Sequence, residues 1–269
     1  MRKVLLFIIS MALLLASCST RLKWSHLTEQ AYGLRVVPEK KAYANISNHD
    51  ILDQHVKRGE EIFAKTAKML PAFVGDGLSC SNCHLKEGRT PFGLSLVGVV
   101  NRYPRYTKRD RRIINLRQRI EECFERSEQG HDIPMDGKAM NDLLAYLKFI
   151  SKNTPPGTIA YGYGLIPLKP NISPNLKNGR KLYFEKCALC HGKNEEVSQT
   201  VPPLWGNASF PWGAGMSKLP KLTRFIYANM PYGSGFSLTL EEAQDVAAFI
   251  LSHPRPIFKM RRNKNGKQD

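Results

Sequence analysis

Two pentapeptides in this 269-residue chain have the residue types and spacing to do chemistry: Cys80-Ser81-Asn82-Cys83-His84 and Cys187-Ala188-Leu189-Cys190-His191. In each, two thiols are spaced for thioether bonds and the histidine that follows can ligate iron, which is the attachment pattern of c-type haem. A redox dithiol or half of a zinc site would also use Cys-x-x-Cys. A thioredoxin-like dithiol calls for alternating strands and helices, and the sequence has no such alternation. A zinc ribbon needs two paired knuckles, whereas these motifs lie about a hundred residues apart. Only haem requires the histidine directly after the second cysteine. The chain is therefore expected to bind two covalently attached haem c groups, one through Cys80, Cys83 and His84 and one through Cys187, Cys190 and His191.

The second axial ligand decides whether a haem iron carries electrons or takes part in chemistry. In the second half, Met230-Pro231 is the first candidate, with Met216 in reserve. Met230 stands 39 residues beyond His191, and the same step from His84 lands on Cys123. The cysteine inventory agrees. Four of the six cysteines belong to the motifs and Cys18 closes an N-terminal export segment, so Cys123 has no disulfide partner. An unpaired cysteine in an exported protein calls for a reason. Met135 is a competing ligand, but it lies further from His84 than Cys123 does. A thiolate on ferric haem stabilises the oxidised state, which suits a site where sulfur reacts better than a high-potential carrier.

Cys123 follows a basic stretch: Arg102, Arg105, Lys108, Arg109, Arg111, Arg112, Arg117 and Arg119, against the single acid Asp110. The apolar spacing over Thr107–Ser127 predicts a helix, on which Arg119, Cys123 and Ser127 stand four apart on one side, with Arg112 two turns before Arg119. Positive charge beside Cys123 is expected to depress its pKa and to attract dianions, for which guanidinium geometry is suited.

These residues need elements to position them. A Pro/Gly/Asn-rich stretch over Lys152–Lys177 separates two halves that repeat one plan. Gly59 precedes Phe63, and Gly179 precedes Tyr183, each pair on a helical pattern (Asp50–Leu70 and Asn175–Lys186) ahead of its motif. The glycine would allow close helix contact. Late in each half comes a second helix, around Asp142–Leu147 and Asp245–Ile250; Thr239 and Glu242 have capping-box spacing before the latter. Phe63, Tyr146, Phe149, Tyr183 and Phe249 are expected to pack in cores. No run of strands is evident. The fold class expected is all-α: two cytochrome c-like helical domains, each around one haem.

Met1-Arg2-Lys3 and an apolar run over 4–16, too short to span a bilayer, make a secretory signal. Leu15-Ala16-Ser17-Cys18 resembles a bacterial lipoprotein box, which would make Cys18 a lipidated first residue on the periplasmic side of a membrane. The expected organisation is a signal peptide over 1–17, an extension over 18–47, a catalytic domain over 48–151, a linker over 152–174, an electron-transfer domain over 175–258 and a basic tail over 259–269. The formal charge of +17 favours anionic partners, and export argues against nucleic acid.

Arg119-Ile120-Glu121-Glu122-Cys123-Phe124-Glu125-Arg126-Ser127, Leu143-Leu144-Ala145-Tyr146-Leu147-Lys148-Phe149-Ile150-Ser151, Pro202-Pro203-Leu204-Trp205-Gly206, Gly213-Ala214-Gly215-Met216 and Asn229-Met230-Pro231 together resemble the thiosulfate dehydrogenase (tetrathionate synthase) family of dihaem cytochromes c. The resemblance implies that two thiosulfates are joined to tetrathionate with release of two electrons. It implies ligation by His84 and Cys123 at a catalytic haem and by His191 and Met230 at a second haem. It makes Cys123 the catalytic ligand, with Arg119 and Ser127 in the substrate pocket. Some relatives have lysine before the distal methionine, where this chain has Asn229. An external cytochrome c or a membrane redox partner would exchange electrons with the second haem. The alternatives are a non-catalytic dihaem carrier and the sulfur-carrier cytochrome subunit of a sulfur-oxidation complex.

Overall fold

The computed structural model describes residues 21, 23–39, 54–170, 173–193 and 201–258. The signal segment, Cys18 and the basic tail over 259–269 lie outside the described residues. Among the described residues, no helix is long and apolar enough to cross a membrane.

The elements run in order: α1 over 23–32, β1 (Arg35–Val37), α2 (Gln54–Ala64), α3 (Cys80–Cys83), β2 (Gly93–Ser95), β3 (Arg105–Thr107), β4 (Arg112–Ile114), α4 (Leu116–Ser127), α5 (Lys138–Ser151), β5 (Thr158–Ala160), β6 (Gly164–Leu165), α6 (Leu176–Lys186), α7 (Ala188–His191), α8 (Leu219–Asn229) and α9 (Leu240–Leu251). Two helical cores form. In the first, α2 packs on α5, with Ile62, Phe63, Phe124, Met140, Tyr146 and Ile150 buried. In the second, α6 and α8 pack on α9, burying Tyr183, Trp205, Phe225, Val246, Phe249 and Ile250. Burying each such side chain contributes about 1.5–3 kcal/mol. Of the five aromatics expected in cores, only Phe149 stays half-buried, with Lys152 over its ring.

The repeat has a physical basis. A β-carbon on Gly59 would lie 2.0 Å from the Asp142 carbonyl oxygen, and one on Gly179 would lie 2.1 Å from that of Asp245. Glycine is what lets α2 meet α5 and α6 meet α9 at backbone distance. One turn on, Phe63 meets Tyr146 with ring centroids 5.8 Å apart, and Tyr183 meets Phe249 at 5.4 Å. The two buried aspartates tie the same helix pairs. Asp142 accepts from His55 (2.6 Å) and Arg58 (3.1 Å), while Asp245 accepts from the Asn175 backbone N–H (2.7 Å) and the Asn178 amide (2.8 Å). The capping box before α9 is present, with Glu242 N–H donating to Thr239 Oγ1 at 3.1 Å.

Three sequence expectations are corrected. The helix over Thr107–Ser127 begins only at Leu116, because Asn115 and Gln118 form a reciprocal cap there (2.9 and 3.0 Å). The residues before it make a hairpin of β3 and β4, so Arg112 sits on a strand and not on the helix face of Arg119. The pattern over Asp50–Leu70 breaks at Lys65, between α2 and a short turn at Thr66–Met69. The fold is helix-dominated as expected, and among the described residues strands occur only as three two-stranded pairs, each strand two or three residues long. Two of them pass through the stretch read as linker: β5 pairs in parallel with β1, and β6 pairs antiparallel with β2. That stretch is thus stitched to the first half rather than hanging as a tether.

Candidate functional site

The first motif is one turn of helix, α3, opened by a Ser79–Asn82 capping box. Thr66 holds its start: the Cys80 N–H donates to Thr66 Oγ1 at 3.0 Å, and that hydroxyl donates to the Ile62 carbonyl at 2.9 Å. His84 follows, with Nδ1 2.7 Å from the Leu94 carbonyl. A carbonyl only accepts, so Nδ1 is the protonated nitrogen and Nε2 keeps its lone pair for a metal. Burial lowers the His84 pKa to about 4, so the ring is neutral. The second motif repeats this design: His191 Nδ1 donates to the Pro202 carbonyl at 2.9 Å, and burial again lowers the ring's pKa. Two neutral imidazoles with a fixed tautomer, each beside two free thiols, fit covalent haem with a proximal histidine.

The carbonyl that orients His84 comes from a strained segment. Phe92 and Leu94 both adopt left-handed backbone, with φ of 60° and 54°. Each such residue costs about 1 kcal/mol or more and persists only when its surroundings hold it.

Cys123 projects from the middle of α4, whose Phe124 anchors it in the first core. Burial raises the Cys123 thiol pKa, and this effect outweighs the lowering by Arg119 and Arg109. The expectation that nearby charge alone would depress it is therefore corrected. The arginines act in the expected direction, but desolvation is the larger effect. A bound metal would reverse the balance, since a coordinated thiol is deprotonated outright. The field of Cys123 is in turn the largest influence raising the Arg119 pKa, as suits groups four residues apart on one helix. Ser127 stands one turn beyond Cys123, half-buried at the end of the same helix.

Four residues enter the site that the sequence reading did not single out. The buried Glu122 carboxylate accepts from both Arg119 (3.0 Å) and Arg109, so one acid holds two guanidinium groups. The Tyr103 hydroxyl is held above its usual pKa by burial, while the fields of Arg105 and Arg119 act against it. Glu128, buried beside Cys80 at 3.4 Å, has its pKa raised to about 8 by desolvation, so it is largely neutral at pH 7 and adds little negative charge there. Lys221 comes from α8 of the second domain, and its pKa is lowered by burial and by the fields of Arg119, Arg224 and Arg109. A β-carbon on Gly215 would stand 3.6 Å from Lys221 Nζ, and two residues earlier the same stretch reaches the first domain. A β-carbon on Gly213 would meet the Arg126 carbonyl of α4 at 2.6 Å. The Arg119–Glu122 spacing could have flagged the carboxylate, but no local signal marks Lys221.

In the second domain, Met230 caps α8 and packs, half-buried, against the core, while Met216 is buried in that core on a short turn at Gly215–Ser217. Leu189 of the second motif is 97% exposed and Cys190 is exposed, whereas Ala188 is buried and Cys187 and His191 are half-buried. His84 and Cys123 fall together in the first domain, and His191 and both methionines in the second.

Residues 58–155 match a family model described as the SoxA/TsdA cytochrome c domain, and residues 174–250 match one described as cytochrome c oxidase, cbb3-type, subunit III. The chain is 39% identical over 218 residues to the thiosulfate dehydrogenase of Allochromatium vinosum, spanning 77% of this chain and 81% of that protein. It is 38% identical over 213 residues to the thiosulfate dehydrogenase of Thiomonas intermedia, spanning 77% and 68%. The solved structure of thiosulfate dehydrogenase (TsdBA) from Marichromatium purpuratum superimposes with a TM-score of 0.72 at 30% identity, over 85% of this chain. The chain spans about half of that longer one, 51%.

Proposed function

The chain belongs to the thiosulfate dehydrogenase family of cytochromes c, and from that premise we propose that it interconverts thiosulfate and tetrathionate at Cys123. The observation that carries this reading is Cys123 itself: a half-buried thiol one helical turn from Arg119, on a helix in the same domain as the first haem-attachment turn. Two covalently bound haems would be held through Cys80, Cys83 and His84 and through Cys187, Cys190 and His191. Cys123 would complete the first site and Met230 the second, with Met216 as the alternative. When bound, the haems supply one-electron redox capacity.

The residues do the rest. Arg119 and Arg109, held by Glu122, offer guanidinium groups to the sulfonate oxygens of thiosulfate. Bidentate charged contacts of this kind fix an oxyanion's orientation. The outer sulfur of thiosulfate joins the Cys123 thiolate, giving Cys123–S–S–SO3⁻ as two electrons leave. A second thiosulfate attacks the sulfur bonded to the sulfonate group. The Cys123–sulfur bond breaks, the thiolate is regenerated and tetrathionate departs. Charge balances, because a monoanion and a dianion yield a dianion and a thiolate. Run backwards, the same steps reduce tetrathionate. An external cytochrome c or a membrane redox partner would exchange electrons with the second haem, a reading supported by the exposure of Leu189 in its attachment motif.

Arg119→Leu is expected to lower kcat/KM for thiosulfate by about a hundredfold, as loss of a desolvated charge partner does. Lys221→Met, on the other domain, should raise KM several-fold and leave kcat close to wild type. Steady-state kinetics with thiosulfate check both; equal KM values for Lys221→Met and wild type would remove Lys221 from the site. Tetrathionate added to the reduced protein should return the haem absorbance to the oxidised form. A spectrum indifferent to thiosulfate and tetrathionate would identify a plain electron carrier, and activity appearing only with an added protein would identify a sulfur-carrier subunit.

The basic start, the short apolar run and the lipoprotein-like box support a periplasmic location in which a lipid on Cys18 would hold the protein to a membrane. Cys18→Ser should release it into the soluble fraction; a variant that still sediments with membranes would contradict the anchor.

A further inference from the structure

Asn229 directly precedes Met230 in the second domain, yet its side chain works in the first. It is buried, and its amide donates to the Phe92 carbonyl at 3.2 Å and to the Phe225 carbonyl of its own helix at 2.9 Å. Both amide hydrogens are therefore used, one on each side of the domain boundary. Phe92 and Leu94, on either side of Gly93, are both left-handed, and the Leu94 carbonyl accepts from His84 Nδ1 at 2.7 Å. Between them, a β-carbon on Gly93 would stand 3.0 Å from Asn229 Oδ1 and 3.0 Å from Thr90 Cβ and Cγ2, so a side chain there would press on the Asn229 amide and on Thr90. Hydrogen bonds at its two ends thus tie the three-residue Phe92–Leu94 segment to the residue before Met230 on one side and to the ring of His84 on the other.

Left-handed backbone at Phe92 and Leu94 needs outside support, and one of the groups supplying it belongs to the other domain. We propose that Asn229 is a positioning residue for the first haem site: its amide holds the Phe92–Leu94 segment that orients His84, so the two ligand sets are built as one unit. The partner of a ligating histidine's second nitrogen sets the ring's orientation and donor strength. Loosening that segment makes His84 a weaker donor, and the ferric state loses stabilisation.

This inference rests on the two-haem reading, so the first measurement is the mass of the purified wild-type protein; fewer than two attached haems would overturn that reading and not the clamp. The test proper compares Asn229→Ala and Gly93→Ala holoproteins, each confirmed to hold its haems. The readouts are the paramagnetic resonance signature and midpoint potential of each haem. In Asn229→Ala, the signature of the first haem should change and its potential shift upward, although the substitution lies in the second domain. In Gly93→Ala, the methionine-ligation signature of the second haem should weaken, although the substitution lies in the first. Changes confined in both variants to the haem of the substituted domain would overturn the proposal. If Asn229→Ala fails to retain its haems, Gly93→Ala decides alone, and an unaltered second haem in that variant counts against the clamp.

Discussion

Cys123→Gly is expected to abolish turnover with thiosulfate and with tetrathionate while both haems stay attached. The attachment residues lie on two other helical turns, so nothing in haem retention depends on Cys123. Glycine inside α4 costs about 1 kcal/mol of helix stability, which a domain with a core of this size tolerates. What is lost is the sulfur that holds the intermediate. Removing a nucleophile from an assembled site commonly costs at least about a thousandfold in rate. Arg119 and Arg109 remain, so the variant should still bind anions. The check is steady-state activity alongside the haem content of the same preparation. Activity within tenfold of wild type would remove Cys123 from the mechanism, whatever its place near the first motif.

Gly59→Ala should unfold the first domain at a markedly lower temperature. The added carbon would meet the carbonyl oxygen of Asp142 at 2.0 Å, its carbon at 2.6 Å and the Tyr146 β-carbon at 2.8 Å. Two of these are backbone atoms and none is the tip of a flexible side chain, so α2 and α5 must move apart. Separation loosens Asp142 from Arg58 and His55 and Phe63 from Tyr146. The cost is about 3 kcal/mol, against about 1 kcal/mol gained from alanine's helix propensity. For a domain of about 100 residues, the net of about 2 kcal/mol corresponds to a Tm lower by roughly 8–16 °C. Gly179→Ala should do the same in the second domain, where the nearest atom is again a carbonyl oxygen. Calorimetry of the two variants separates the domains, and an unchanged Tm in either would refute the close-contact account of the repeat.

The parts legible in the sequence were those encoded by short spacing. The glycine with an aromatic one turn later and the Thr239–Glu242 cap each depend on residues a few positions apart, and each has its expected local form in the fold; the two attachment motifs, equally short, fall on one-turn helices. The hairpin was hidden because β3 and β4 are three residues each, too short to show alternation, and because the basic run around them mimics a helix face. The pairing of β1 with β5 joins segments over a hundred residues apart and leaves no local trace. The pKa of Cys123 was misjudged for a related reason. Arg119 is visible at helical spacing, whereas the burial that outweighs it comes from the assembled domain. Lys221 and Asn229 lie furthest from sequence reach, because each acts on the first domain from the second.

The central claim is that this chain, by itself, exchanges electrons with sulfur at Cys123. The most direct test is an assay of the purified wild-type protein with an artificial redox dye, run in both directions, with tetrathionate and thiosulfate quantified. The account predicts dye-linked turnover without any added protein, with one tetrathionate formed or consumed for every two electrons. Haems that the dye reduces and reoxidises freely, while thiosulfate and tetrathionate stay unchanged, would contradict it.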